Sequence, residues 1–102
     1  MTNHERAAEI WAILVLAARH QELISYKTLE RMTGHPRNYF SGALGLIQEH
    51  CKRKKLPPLT ALVVLESTGL PGSGFNAANR RLLAQARVFV FDWLEIDNPF
   101  GK

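Results

Sequence analysis

Apolar residues recur with helical spacing over the first twenty residues of the chain. The stripe consists of Ala7, Ile10, Trp11, Leu14, Ala17 and Ala18. This spacing predicts an amphipathic helix that runs to about Arg19, with Asn3 as its N-cap. Glu5 and Glu9 lie near the positive end of the helix dipole, where acidic residues are favourable. We interpret residues 1–20 as a scaffold helix, because a tryptophan in such a stripe is usually a core residue.

Local signals after residue 22 predict a short strand and then two helices joined by a tight turn. Residues 22–26 are short and favour a strand. Ser25 is placed to cap a helix through Thr28, and Gly34 stands where a left-handed helix stop is expected. Pro36 fits the first turn of a following helix over residues 36–51. The order of these signals predicts a helix-turn-helix over residues 25–51.

The predicted helix 36–51 has an apolar side and a polar side. The apolar side carries Tyr39, Phe40, Ala43, Leu44 and Ile47. The polar side presents Arg37, Asn38, Ser41, Gly45 and Gln48. Arginine and asparagine can make bidentate contacts to guanine and adenine, and small residues let a helix approach DNA closely, so the polar side is predicted to read bases. Gly42 fits two interpretations, close approach to DNA or close packing against another helix.

The composition after Lys55 changes from helical to β-type. The segment Leu56-Pro57-Pro58 cannot be helical, and residues 59–65 form a β-branched apolar run that is typical of a strand. Three glycines and a proline between residues 67 and 74 predict a hairpin tip. Residues 56–75 are therefore predicted to form a wing hairpin, whose tip, with Ser73, would contact phosphates.

The last segment predicts a closing helix over residues 76–94, with Asn76 as its cap. Its apolar stripe consists of Leu82, Leu83, Ala86, Phe89, Val90 and Trp93. A strand through residues 88–91 is the competing interpretation, because a run of apolar β-formers satisfies both patterns. The tail from Glu95 is expected to be frayed. The whole pattern predicts one domain of 102 residues, mainly α with a small β-hairpin, in a winged helix-turn-helix arrangement.

Charge is concentrated in the segment that contains the predicted helix-turn-helix and wing. The formal net charge is +4, but residues 27–87 contain ten basic and only three acidic side chains. Such a segment is expected of a surface that attracts phosphates. The predicted phosphate contacts are Lys52, Arg53, Lys54, Lys55, Arg80 and Arg81. The run over residues 52–55, taken alone, fits a solvated loop equally well.

Several classes of function lack the residues they require. Cys51 is the single cysteine, which excludes an internal disulfide and a thiolate zinc site. The four histidines lack metal-binding spacing, and no catalytic constellation is evident, so we predict a non-enzymatic protein without a cofactor. The enzymatic alternative is a reactive Cys51 whose pKa is lowered by Lys52 and Arg53. No apolar run approaches the roughly 20 residues of a membrane helix, which predicts a cytoplasmic protein with no membrane partner.

Three short sequence words resemble the C-terminal DNA-binding domain of the alkylguanine-DNA alkyltransferases and alkyltransferase-like proteins. They are Ile24-Ser25-Tyr26-x-x-Leu29, Gly34-His35-Pro36 and Ser41-Gly42-Ala43-Leu44, and a Pro-containing strand and Gly-rich turn follow them. The resemblance implies a winged helix and a minor-groove mode of DNA binding.

The sequence departs from this family at its functional positions. Asn38 stands where the family has an arginine near the start of its DNA-binding helix. Pro58-Leu59-Thr60-Ala61 replaces the family's Pro-Cys-His-Arg motif. Alkyl transfer needs the missing thiolate, so the resemblance implies fold and DNA binding but no catalysis.

These observations predict a protein that binds duplex DNA, as a bacterial or phage transcription regulator or as the targeting module of a larger system. The alternative is a protein-interaction module, because winged helices also bind protein partners and a fold does not fix a function. In that case the contacts would come from the hairpin tip Leu70-Pro71 and from Phe75.

Overall fold

The computed structural model describes residues 2–65 and 81–101, except for the side chains of Arg81 and Leu82. Helices dominate this part of the chain. The helices are α1 (Asn3–Arg19), α2 (Tyr26–Thr33), α3 (Phe40–Arg53) and α4 (Arg81–Val90). The strands are β1 (Ile24–Ser25) and β2 (Val63–Val64), and short 3-10 turns cover Arg37–Tyr39, Leu59–Leu62 and Trp93–Glu95. The prediction of a mainly helical chain with little β-structure is confirmed.

Helix α1 starts at a capping box, and a left-handed residue follows its end. The Glu5 backbone N–H donates to Thr2 Oγ1 at 3.1 Å, and the Thr2 N–H donates to Glu5 Oε1 at 2.8 Å. This reciprocal pair satisfies two of the donors left open at a helix start, so Thr2 is the cap and the prediction of Asn3 was wrong. At the other end Gln21 adopts φ 55°, and the predicted end near Arg19 is confirmed.

The segment between α2 and α3 largely follows the local sequence signals. The Thr28 N–H donates to Ser25 Oγ at 3.0 Å, and Gly34 has φ 75°, so the predicted cap and stop are confirmed. Pro36 is extended, with ψ 147°, and precedes the helical segment instead of entering it. A 3-10 turn follows, so α3 begins at Phe40 and not at residue 36, and it ends at Arg53 and not at residue 51.

The two strands pair in parallel, with Ile24 opposite Val63 and Ser25 opposite Val64. A parallel pair needs a crossover, which α2 and α3 supply here. The sheet described is therefore not the predicted antiparallel hairpin. Leu59–Leu62, predicted as strand, forms a 3-10 turn after two prolines, and only Val63–Val64 pairs. The predicted hairpin tip over residues 67–74 lies outside the described residues.

The core lies between α1 and α3, with Trp11 at its centre. The Trp11 ring meets the rings of Trp93 and Phe100 edge to face, with centroids 5.6 and 6.1 Å apart. Phe100 is buried, and Asn98 Nδ2 donates to the Ala8 carbonyl oxygen at 2.9 Å. The prediction of a frayed tail was wrong, because these contacts hold the tail against α1.

Helix α4 confirms the helical interpretation of residues 88–90 over the competing strand, but it ends at Val90 and not near residue 94. The predicted apolar stripe was wrong in register, since Leu83 is 61% and Val90 82% exposed. The buried side instead contains Val88 and Gln85, whose Nε2 donates to the Ala61 carbonyl oxygen at 3.0 Å. The predicted cap Asn76 lies outside the described residues. Of the helices described, none combines the length and hydrophobicity needed to span a membrane.

Candidate nucleic-acid interface

One side of α3 carries small and polar residues at helical spacing. Ser41, Gly45, Gln48 and Lys52 follow one another at intervals of four, three and four residues, which places them in one line along the helix. Ser41, Gly45 and Lys52 are exposed, and Gln48 is half-buried. We call these four residues the polar stripe, and at 1.5 Å per residue it extends over roughly 16 Å. The stripe contains three of the side chains that the sequence assigned to DNA.

The two glycines of α3 have different surroundings. A Cβ atom at Gly45 would meet nothing within 4 Å, so this glycine opens onto free space on the polar stripe. A Cβ atom at Gly42 would lie 2.8 Å from Cγ of Asn3 on α1. The packing interpretation therefore holds for Gly42. Close approach to an external surface remains an interpretation for Gly45.

Four consecutive cations, Lys52, Arg53, Lys54 and Lys55, are exposed at the end of α3. We call them the basic terminus. The backbone of Lys55 is left-handed, with φ 58°, and the Leu56 N–H donates to the Cys51 carbonyl oxygen at 2.8 Å. These two features end the helix. Arg53 approaches Glu49 at 3.8 Å, a distance and an exposure at which an ion pair contributes little. Cations are also favourable at the C-terminal, negative end of the helix dipole, so these residues stabilise α3 even without DNA.

Arg37, predicted to contact bases, is held by α2. Its guanidinium donates to Glu30 Oε1 at 3.1 Å, and its backbone N–H donates to Glu30 Oε2 at 2.9 Å. The guanidinium carbon also lies 5.6 Å from the centre of the Tyr26 ring. Glu30 thus offsets the charge that the sequence assigned to base contacts, while the neighbouring Asn38 is exposed.

The remaining predicted contacts fall outside the described residues. Ser73 and Arg80 belong to residues 66–80, as do the tip Leu70-Pro71 and Phe75 of the protein-interaction alternative. Arg81 begins α4, but its side chain is not described. The predicted contacts whose side chains the structure describes therefore all lie between Arg37 and Lys55, on α3 and at its two ends.

The sequence did not predict a cation near the start of α3. The Arg6 guanidinium of α1 lies 4.5 Å from the centre of the Tyr39 ring, within the range of a cation–π contact. Tyr39 is 46% exposed, so its predicted place on the apolar side was wrong. Arg6 and Tyr39 are far apart in the sequence, and no local pattern signals their contact.

The thiol of Cys51 does not have the lowered pKa that the enzymatic alternative required. Cys51 is 1% exposed, and burial raises the pKa of its thiol, although a backbone hydrogen bond from Leu59 acts in the opposite direction. The neighbouring His50 has a lowered pKa, chiefly because it is partly buried and then because Arg53 and Lys54 lie nearby. Among residues 2–65 and 81–101, no three His, Cys, Asp or Glu side chains form a group that could hold a metal ion.

Three of the four residues that stand in place of the alkyltransferase motif are buried. Leu59, Thr60 and Ala61 are all buried in the 3-10 turn before β2, and Leu59 at the cysteine position is fully buried. Comparisons with family models, with curated proteins and with solved structures found no match for this chain. The resemblance to the alkyltransferases therefore remains an expectation that rests on the sequence words.

Proposed function

We propose that this protein binds duplex DNA through the polar stripe and the basic terminus of α3. One observation carries the proposal: a line of small and polar residues, exposed except for the half-buried Gln48, leads into four consecutive exposed cations. Phosphate contacts from lysine and arginine supply affinity, and small or amide side chains on the same helix supply access to base edges. The protein would act as a regulator or as the targeting module of a larger system.

Each part of the surface has a distinct role in this proposal. Lys52 to Lys55 neutralise phosphates, and Asn38 and Ser41 face the groove. Gly45 allows the α3 backbone to come close, since a groove of about 12 Å leaves little room around a helix with side chains. Glu30 holds Arg37 in place. We therefore propose that the main role of Arg37 is to position the start of α3 and that contact with DNA is secondary. The winged-helix assignment belongs to the same proposal, because β2 lies within residues 56–75, the segment that the sequence assigns to the wing, and ends before its predicted tip over residues 67–74.

A salt titration tests the proposal. We expect fluorescence anisotropy with a random-sequence duplex to show binding at about 50 mM salt that falls steeply by about 200 mM, because several phosphate contacts release counterions. Lys54→Ala should weaken binding and lower the slope of log affinity against log salt by about one. Arg87→Ala is the matched control, an exposed arginine of α4 outside the proposed surface.

Two results would count against the proposal. Absence of binding at both salt concentrations would remove DNA as the partner. Equal changes in slope for Lys54→Ala and Arg87→Ala would show that the net charge binds DNA and that the basic terminus has no special role.

A further inference from the structure

The side of α1 that faces away from the core carries a regular exposed stripe. Glu5, Glu9, Ala12, Leu16 and Arg19 are all exposed and follow one another at intervals of four, three, four and three residues. This is the spacing with which one helix packs along another. Leu16, the fourth of these five residues, is 56% exposed, and together with Ala12 it forms the apolar part of this outer stripe. Helix α1 therefore presents a second face with helix-packing spacing, apart from the face that packs on α3.

Apolar grooves lie on both sides of Leu16. The first, of about 280 Å³, is lined by Trp11, Ala12, Val15, Leu94 and Ile96. The second, of about 200 Å³, is lined by Ile13, Ala17, Leu23, Ile24 and Met32. Leu94 and Met32 at their edges are 56% and 57% exposed. The face thus combines a projecting leucine with grooves that could receive one.

We propose that this face binds a second copy of the chain, with the two α1 helices packed antiparallel about a two-fold axis that is level with position 14, on the side of the helix opposite the buried Leu14. In the register that sets Leu16 against Ala12 of the second copy, Leu16 enters the groove beside that alanine. The same register sets Glu9 opposite Arg19 of the second copy, because both pairs are centred on Leu14. A two-fold axis repeats each contact, so the dimer contains two buried leucines and two ion pairs.

Charge complementarity is the reason to choose a second copy over an unrelated partner. Glutamates flank the apolar part of the outer stripe on its N-terminal side, and Arg19 flanks it on its C-terminal side. Each charge faces an opposite charge of the second copy only when the two helices run antiparallel. Glu9 Oε1 lies 3.0 Å from His35 Nε2, but a carboxylate has four acceptor positions and can also receive an arginine. Arg19 has no ion-pair partner among the described residues. The dimer would leave the polar stripe of α3 uncovered, and the proposal is independent of DNA binding.

Sedimentation equilibrium between about 1 μM and 1 mM tests the dimer, since interfaces of modest area dissociate in this range. We expect the mass to rise toward twice 11.5 kDa with concentration. Leu16→Glu should raise the dimer dissociation constant at least ~10-fold, because it places a charge in an apolar groove. Leu83→Glu, at an exposed leucine of α4 outside the face, should not change it.

A charge exchange makes the test specific to the antiparallel register. Glu9→Arg and Arg19→Glu should each weaken the dimer, and the double variant Glu9→Arg/Arg19→Glu should restore it, because the opposed charges are then exchanged together. This comparison stands even if Leu16→Glu fails to fold, which circular dichroism would show. A monomer at every concentration, or a double variant as weak as the single variants, would overturn the proposal.

Discussion

Glu30 on α2 accepts hydrogen bonds from the backbone N–H of Arg37 at 2.9 Å and from its guanidinium at 3.1 Å. The Arg37 N–H lies at the start of the helical segment that leads into α3, where donors have no partner within the helix. Glu30 therefore caps this segment from the neighbouring helix. The pair joins α2 to the start of α3 and so fixes the direction in which α3 leaves the turn.

Glu30→Ala should destabilise the protein by about 1–2 kcal/mol, the usual cost of losing a side-chain cap. Glu30→Gln should cost less, because its amide oxygen can still accept a hydrogen bond from the Arg37 N–H. Urea unfolding followed by circular dichroism measures both differences. If Glu30→Ala and the wild-type protein unfold at the same urea concentration, the carboxylate does not act as a cap.

Gly45→Leu should separate the stability of α3 from its proposed contact with DNA. A side chain at this position meets open space, and leucine is the better helix former, so stability should rise by about 0.5–1 kcal/mol. Duplex affinity should fall at least ~10-fold, because the bulky side chain keeps the helix out of the groove. Anisotropy and urea unfolding of the same variant supply both values.

Gly45→Ala and Gly42→Ala are the controls for this prediction. Gly45→Ala should gain at least as much stability as Gly45→Leu, because alanine is the best helix former, and it should retain most of the DNA binding. Gly42→Ala should gain little stability, because its Cβ would displace Asn3, which accepts a hydrogen bond from Arg6. Wild-type affinity in Gly45→Leu would show that this part of α3 does not enter a groove.

The features that the sequence predicted correctly depend on neighbouring residues. The Ser25 cap acts three residues ahead, and Gly34 stops α2 through its own backbone angle, so both could be inferred locally. The parallel pairing of Ile24 with Val63 depends on how the intervening helices fold back. The docking of Phe100 likewise depends on a distant partner on α1. Sequence patterns carry no direct information about such contacts.

The same division applies to the candidate site. The exposure of the basic terminus could be inferred from its run of four cations, and the polar stripe could be inferred from helical spacing. The fixed position of Arg37 did not, because Glu30 lies on the preceding helix and across the turn. On α3 the sequence thus predicted most of the side chains that the polar face presents, but not which of them the protein's own side chains already engage.

Gln21→Gly should stabilise the protein by about 0.5–1 kcal/mol. Gln21 has φ 55° at the end of α1, a conformation that costs a residue with a Cβ atom about 1 kcal/mol or more and costs glycine little. The hydrogen bond from the Glu22 N–H to the Ala17 carbonyl oxygen, 2.9 Å long, does not involve the side chain and should remain. Thermal and urea unfolding measure the gain. Gln21→Ala keeps a Cβ atom, so an equal gain in that variant would contradict the role assigned to the backbone angle.

His50 lies beside two aromatic rings at the junction of α3, α1 and the tail. Its ring centroid is 5.7 Å from that of Trp11 and 5.9 Å from that of Phe100. Partial burial, and then the nearby charges of Arg53 and Lys54, lower its pKa below the usual value of 6.5. In the unfolded chain the ordinary pKa returns, so the unfolded state binds a proton more strongly than the folded state does.

The stability of the protein should therefore fall as the pH is lowered below about 6.5, while the His50 contribution is constant above that pH. His50→Gln removes the titrating group and should reduce this pH dependence, even if it also lowers stability at neutral pH by losing aromatic contacts. Urea unfolding at pH 7.5, 6.5 and 5.5 provides the comparison. An unchanged pH dependence in His50→Gln would mean that acid acts on the fold through other groups.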